Sequence, residues 1–499
     1  MAPRKLLGTL GIVLFVLSVF MATALPWAWL DSGIAGLAPW LVAISLTLGP
    51  GLLLALWGRP RQERWRNRPG RAAGRHQEDE LSRREALAVV ALSWVLCGIF
   101  GGLPFLTTGM VDTPTDAIFE AVSGVTTTGS TILSDIEGQS RAALWWRSLL
   151  QWLGGMGIIV FFLAIFPQAG GSGRKLFDGE VPGPEKDKLR PRIAETSAVL
   201  WRIYGGLTAL AALVYFFEGM SFHDAICHAF TTLATGGFST KDASIAGFDS
   251  PLIEVTVILF MCVGGINFGL YFALLRKRTL RVFADAEFLL YVSALAVLTG
   301  IVTAALLAGT TGDPVEVFRD AAFQVVSTAT STGFSTADFV LWPAFTHVLI
   351  LLLMFVGGMA GSTAGGFKLS RLMITFGHLS QEIRRSIHPR AVFTTRIGTR
   401  AVPDRVVRSV LSLFALAMIT LGLGTAALSL LGLPLTEAFS STLSAFSNAG
   451  PGLGSVGPSG NFGTLPAAGK MLLAALMIVG RLEFFTALAV LTPGFWAGR

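Results

Sequence analysis

Four stretches of this sequence carry small hydroxylated residues and glycine in one arrangement, and such residues suit one kind of chemistry, oxygen ligation of a cation stripped of water. They are Thr127-Thr128-Gly129, Thr235-Gly236-Gly237, Ser331-Thr332-Gly333 and Asn448-Ala449-Gly450. An acidic residue stands thirteen positions before each last glycine: Asp116, Asp224, Asp320 and Glu437. Between acid and glycine lies an apolar segment too short to cross a bilayer. A row of backbone carbonyls can replace the hydration shell of potassium. Glycine admits the backbone angles that such a row needs, and Ser or Thr hydroxyls add further oxygens. One loop of this kind alone is equally a surface turn. Four aligned copies form an internal repeat, and a repeat points to a shared role.

The elements that must hold these loops are membrane helices. Of 499 residues, 52% are hydrophobic and 14% charged, against about 25% charged in soluble chains. Ten apolar stretches are long enough to span: 6–30, 33–58, 86–111, 142–167, 196–217, 251–275, 286–309, 341–367, 406–433 and 466–493. A span needs about 20 residues, and lipid tolerates only helices or closed barrels. No alternating ten-residue pattern suggests a barrel. The expected fold is an all-α membrane protein with ten transmembrane helices. Residues 1–58 form an N-terminal helix pair and 59–85 a cytoplasmic basic loop. Four units of helix, short re-entrant helix, polar turn and helix follow: 86–167, 196–275, 286–378 and 403–499. The linkers are 168–195 and 379–402. The N-terminal run is too long for a cleaved signal peptide, and an uncleaved first helix is expected.

Charge sets the orientation. The 59–85 segment holds nine arginines, and the later even-numbered exits are also basic, whereas the loops with the glycine turns hold almost no Lys or Arg. By the positive-inside rule both termini are cytoplasmic. The net charge of +7 therefore reflects topology, and no nucleic-acid partner is implied. Cys97, Cys227 and Cys262 have neither metal-ligand nor disulfide-framework spacing.

Two further features fall inside membrane segments. Arg481 lies within the last one, where a charge is costly and faces a cavity or a partner. It is a candidate electrostatic barrier below the turns; the alternative is an ion pair, with Glu483 among the possible partners. Residues 357–366 interrupt the eighth segment with Gly357, Gly358, Gly361, Ser362, Thr363, Gly365 and Gly366. Each glycine weakens a helix by about 1 kcal/mol, so a flexible intramembrane loop is expected in place of helix. Close packing through small residues is the alternative. Arg147 and Lys470 read as side chains that snorkel near outer helix ends. Residues 422–427 imitate a dinucleotide fingerprint with no strand before it, so helix packing is the better reading. No nucleophile–base constellation or clustered histidine pair suggests an enzyme, and no organic cofactor is implied. A carrier with alternating access is the rival class, but carriers usually show inverted repeats, and these four share one orientation.

The glycine turns, together with Gln151-Trp-Leu-Gly-Gly-Met-Gly157, residues 179–184, residues 187–192, the 357–366 run and Gly480-Arg-Leu-Glu483, resemble the Trk/Ktr/HKT cation transporters, in particular the bacterial Trk branch. The resemblance covers residue 86 to the end. It implies potassium uptake across the bacterial inner membrane, with potassium ions at the twelve turn residues. It also implies a homodimer and a cytoplasmic, nucleotide-binding TrkA-like regulatory subunit, with Arg481 and the 357–366 loop as the gate. Asn448 and Ala449 depart from the family's Thr-Gly pattern, which makes the expected ligand field less symmetric. By the same resemblance, Gly129→Ser should loosen discrimination against sodium. A flux assay with both cations measures this, and an unchanged ratio would remove Gly129 from the ligand set.

Overall fold

The computed structural model describes residues 3–58, 82–157, 193–309, 312–391, 393–398, 400–482, 488–490 and 492–497. Most of the basic loop, the linker motifs at 179–184 and 187–192, and Glu483 lie outside the described residues.

Helices occupy part of every one of the ten apolar stretches. The first two form an antiparallel hairpin that turns at Ser32 and Gly33, the latter at φ +60°. The hairpin closes through small residues. A β-carbon on Gly8 would meet the Gly58 backbone at 2.9 Å, and one on Gly11 the Ala55 nitrogen at 2.4 Å. Such close backbone approach is how helices associate where lipid removes the hydrophobic drive.

Each of the four repeats then begins with a long apolar helix: Arg83–Gly101, Ile193–Phe217, Ala286–Leu307 and Asp404–Leu430. Among the described residues the hairpin and these four helices are long and apolar enough to cross a bilayer, and Pro251–Gly264 with Phe268–Lys277 is so only as one bent pair. A short helix follows in each repeat: Pro114–Val125, Phe222–Leu233, Pro314–Ala329 and Leu435–Ser447. Thr113, Ser221 and Asp313 cap the first three with side-chain oxygens, satisfying backbone donors that would otherwise stay unpaired. The fourth has Pro434 at that position and no side-chain cap.

The second long helix of each repeat differs from expectation. Arg141–Gly155, Pro251–Gly264, Ala344–Val356 and Ala467–Arg481 stop after 15, 14, 13 and 15 residues. The stops coincide with Gly154-Gly155, Gly264-Gly265, Gly357-Gly358 and Gly480-Arg481. In the second repeat a new helix, Phe268–Lys277, leaves at 84° to the old one. In the third, the chain enters the 357–366 loop and resumes as the helix Leu369–Ile387. Packing gives the reason for glycine. A β-carbon on Gly154 would lie 1.7 Å from the Val125 carbonyl oxygen, and one on Gly480 would lie 2.0 Å from that of Phe446. The second helices of repeats 1 and 4 therefore end pressed against the C-terminal turns of short helices, whereas that of repeat 3 ends against its own loop, where a β-carbon on Gly357 would lie 2.2 Å from the Gly365 oxygen.

The repeats close on themselves. The second helix of repeat 1 packs on the short helix of repeat 2, that of repeat 2 on repeat 3, that of repeat 3 on repeat 4, and that of repeat 4 on the short helix of repeat 1. Among the described residues the strand content is one two-residue ladder, Arg396–Ile397 against Arg400–Ala401.

Candidate functional site, a ring of four polar turns

The C-terminus of each short helix runs into its polar turn in the same way. Thr127, Thr235, Ser331 and Asn448 adopt left-handed backbone angles, with φ of 57°, 52°, 53° and 52°, and two positions on Gly129, Gly237, Gly333 and Gly450 do so again, with φ of 84°, 77°, 83° and 91°. The intervening residue donates its N–H to the carbonyl five residues back: Thr128 to Ser123, Gly236 to Thr231, Thr332 to Ser327 and Ala449 to Ser444, at 2.8–3.0 Å. Asparagine tolerates left-handed angles better than most residues. Asn448 therefore departs from the other three in side chain but not in backbone conformation.

The four glycines, separated by as many as 321 positions, form one ring. A β-carbon on Gly129 would lie 2.1 Å from the Gly236 oxygen, on Gly237 1.9 Å from the Thr332 oxygen, on Gly333 2.7 Å from the Ala449 oxygen, and on Gly450 3.1 Å from the Thr128 oxygen. Each oxygen belongs to the residue just before the next glycine, so the ring closes in chain order. All seven non-glycine residues of the turns are buried, from Thr127 to Ala449.

Side chains differ in pairs around this ring. In repeats 1 and 3 two hydroxyls meet: Thr126 with Thr128 and Thr330 with Thr332, both at 2.7 Å. Repeat 2 has Ala234 and Gly236 at those places, and there Gln151 intervenes. Its amide donates to the Gly236 oxygen at 2.6 Å and its carbonyl accepts from Phe238 N–H at 3.1 Å. In repeat 4 the Asn448 amide donates to Thr128 Oγ1 at 2.9 Å and to the Met477 oxygen at 3.0 Å. Gln151 belongs to a motif quoted above without a role of its own. A polar amide in the middle of an apolar helix was the signal available.

In repeats 1 to 3 the chain just after each turn is tied back to the short helix by a residue at one repeated position. Glu120 accepts from Thr131 Oγ1 at 2.9 Å and Ile132 N–H at 3.0 Å, His228 meets Ser239 Oγ at 3.0 Å, and Gln324 donates to the Ala337 oxygen at 3.1 Å. Arg147 does not snorkel. It is 1% exposed, pairs with Glu120 at 2.7 Å, donates to the Ser239 oxygen at 3.1 Å, and lies 3.8 Å from the centre of the Phe238 ring. Lys470 is also buried, paired with Asp116 at 2.6 Å. Both side chains point inward because carboxylates of the first short helix face them.

The 357–366 loop lies against three of the four turns. Thr363 Oγ1 donates to the Leu233 and Gly264 oxygens at 3.0 Å each. Gly365 N–H donates to Ser331 Oγ at 2.5 Å, and Gly366 N–H to the Ser447 oxygen at 2.8 Å. Gly361 accepts from Phe268 N–H at 2.9 Å. Ser362 Oγ closes a turn on the Met359 oxygen at 2.6 Å. Gly357 and Gly358 enter the loop, Gly357 at φ +69°. Arg481 meets the same loop: its guanidinium donates to the Thr363 oxygen at 2.9 Å and to the Gly154 and Gly155 oxygens at 2.8 and 2.9 Å. Arg481 thus joins the end of repeat 1's second helix to the loop of repeat 3.

The sequence model of the TrkH cation transport proteins matches residues 71–311 and 288–492. The chain belongs to the TrkH family. A Salmonella typhimurium relative, the Trk system potassium uptake protein TrkH, is 42% identical over 426 residues, 85% of this chain and 88% of its own. A protein of the same description from Halomonas elongata is 38% identical over 505 residues and covers 99% of this chain. The crystal structure of the potassium transporter TrkH from Vibrio parahaemolyticus superposes with a TM-score of 0.86 at 35% identity, over 99% of this chain and 100% of that one. The likeness therefore includes the N-terminal hairpin as well as the four repeats.

The Glu120–Arg147 pair carries a stability prediction. Removing one partner of a buried pair costs about 3–5 kcal/mol, because the other charge is stranded. Glu120→Ala should lower the thermal midpoint of the purified protein sharply, and Glu120→Ala with Arg147→Met should recover much of the loss. Equal midpoints for wild type and Glu120→Ala would show that the pair does not hold the ring.

Proposed function

We propose that this chain takes up potassium through a pathway on the axis of the four turns. Thr127, Thr128, Gly129, Thr235, Gly236, Gly237, Ser331, Thr332, Gly333, Asn448, Ala449 and Gly450 supply the ligands, chiefly carbonyl oxygens. The carrying observation is the closed ring of Gly129, Gly237, Gly333 and Gly450. Non-helical polar backbone is tolerated at membrane depth only inside protein or along a water-filled cavity, and carbonyl rings select potassium by replacing its water. Relatives described as potassium uptake proteins support the same reading.

In this reading the short helices are re-entrant, the chain crosses the bilayer ten times, and both termini are cytoplasmic in the inner membrane. Residues 357–366 with Arg481 close the pathway beneath the ring, and a cytoplasmic nucleotide-binding subunit controls that closure. Two chains associate, each with its own pathway.

The direct test is growth of a potassium-uptake-deficient bacterium at low external potassium when this chain is expressed, with rubidium and sodium fluxes measured alongside. Growth with potassium and rubidium flux well above sodium flux is expected. Failure to restore growth in properly inserted protein would overturn the reading. Arg481→Ala removes the hydrogen bond to the loop at Thr363, the two that tie the loop to Gly154 and Gly155 of repeat 1, and the positive charge at that junction. It should raise basal flux, and unaltered flux in the folded variant would exclude Arg481 from the gate.

A further inference from the structure

The 357–366 loop is closed at its neck by a short run of backbone hydrogen bonds. Phe367 N–H donates to the Phe355 oxygen and Lys368 N–H to the Val356 oxygen, both at 2.8 Å, and Leu369 N–H to the Gly358 oxygen at 3.1 Å. Beside this neck stands one carboxylate from a different helix. Glu287 is the second residue of Ala286–Leu307 and is 9% exposed. Its Oε1 accepts from Ala360 N–H at 2.8 Å and from Ser370 N–H at 3.1 Å.

These two donors belong to different parts of the chain. Ala360 is in the rising limb of the loop, and Ser370 is in the first turn of the helix Leu369–Ile387. That helix has no side-chain cap of its own: Lys368 occupies the capping position at φ +81°, and its ammonium is directed back to the Ala364 oxygen. The first N–H groups of a helix need an external acceptor, and an anion there is favoured by the helix dipole. Glu287 supplies both and spends the same oxygen on the loop. The helix it caps runs on to exposed Arg384 and Arg385.

We infer that Glu287 is the positioning residue that clamps the glycine loop shut by holding Ala360 of the loop and Ser370 of the helix Leu369–Ile387 on one oxygen. This rests on reading residues 357–366 as the gate. Glu287 touches no residue of the four turns; it acts through the loop. What matters is an oxygen at the right reach, so length should count for more than charge. Glu287→Asp keeps the charge but withdraws the oxygen by one methylene. Glu287→Gln keeps the reach and an acceptor oxygen without the charge.

The experiment is potassium flux into liposomes holding the full chain alone, with the potassium-to-sodium flux ratio as the second readout. Glu287→Asp and Glu287→Ala should raise flux about tenfold, equal to about 1.4 kcal/mol taken from the closed state. Glu287→Gln should stay within roughly twofold of wild type, and all three should keep the wild-type ratio. A general packing defect would lower flux or degrade the ratio. Raised flux in Glu287→Gln with wild-type flux in Glu287→Asp would overturn the clamp in favour of a charge effect. Wild-type flux in Glu287→Asp while Arg481→Ala is raised would overturn the clamp and leave the loop as gate. Wild-type flux in both would overturn the two together. If Glu287→Ala does not insert, the contrast between Asp and Gln decides alone.

Discussion

A side chain at any of four glycines would collide with the backbone of the adjacent turn, and much of the molecule follows from that. The spaces at Gly129, Gly237 and Gly333 are 2.7 Å or less from a carbonyl oxygen of the next repeat, and that at Gly450 is 3.1 Å from one. Four turns this close bring buried polar backbone together, where each unpaired group is costly. The surrounding polar side chains answer that cost. Hydroxyls below the short helices, Gln151, Asn448 and the Glu120–Arg147 pair each satisfy or brace a strand that would otherwise relax. The short second helices belong to the same arrangement: those of repeats 1, 2 and 4 stop where their glycines meet the ends of short helices, and that of repeat 3 stops where Gly357 meets Gly365 and Gly366 of the loop.

The ring is four-fold in backbone and two-fold in side chains. Threonine pairs stiffen turns 1 and 3, whereas turn 2 receives the Gln151 amide and turn 4 extends its own Asn448 amide to Thr128 of turn 1. A single chain can vary its four turns independently, and here the variation alternates. The loop of repeat 3 uses the asymmetry. It reaches the Leu233 oxygen, the Ser331 hydroxyl and the Ser447 oxygen, while Arg481 fastens it to repeat 1. All four repeats therefore bear on one loop.

Much of this was legible in the sequence, for a physical reason. Apolar length marks membrane helices, and a thirteen-residue spacing marks the turns, because both are local properties. The break at 357–366 was legible too, since glycine density favoured a loop over the alternative of a closely packed helix, and the helix does stop at Val356 and resume at Leu369. The misses concern relations between repeats. Arg147 and Lys470 look like interfacial cations along the sequence, and only the fold shows Glu120 and Asp116 facing them. Asn448 looks like a departure until its φ is compared with those of Thr127, Thr235 and Ser331. The early stops of the second helices were hidden because the residues beyond them remain apolar, and hydropathy cannot tell a spanning helix from one that breaks halfway.

Ion density on the axis bears most directly on the whole account. Crystals of this protein in a rubidium or thallium salt, with anomalous scattering recorded, should show ordered peaks inside the ring of Gly129, Gly237, Gly333 and Gly450, and these peaks should vanish in sodium salt. An axis without ordered ions, or ions bound only outside the ring, would contradict the claim that these carbonyls replace a cation's water.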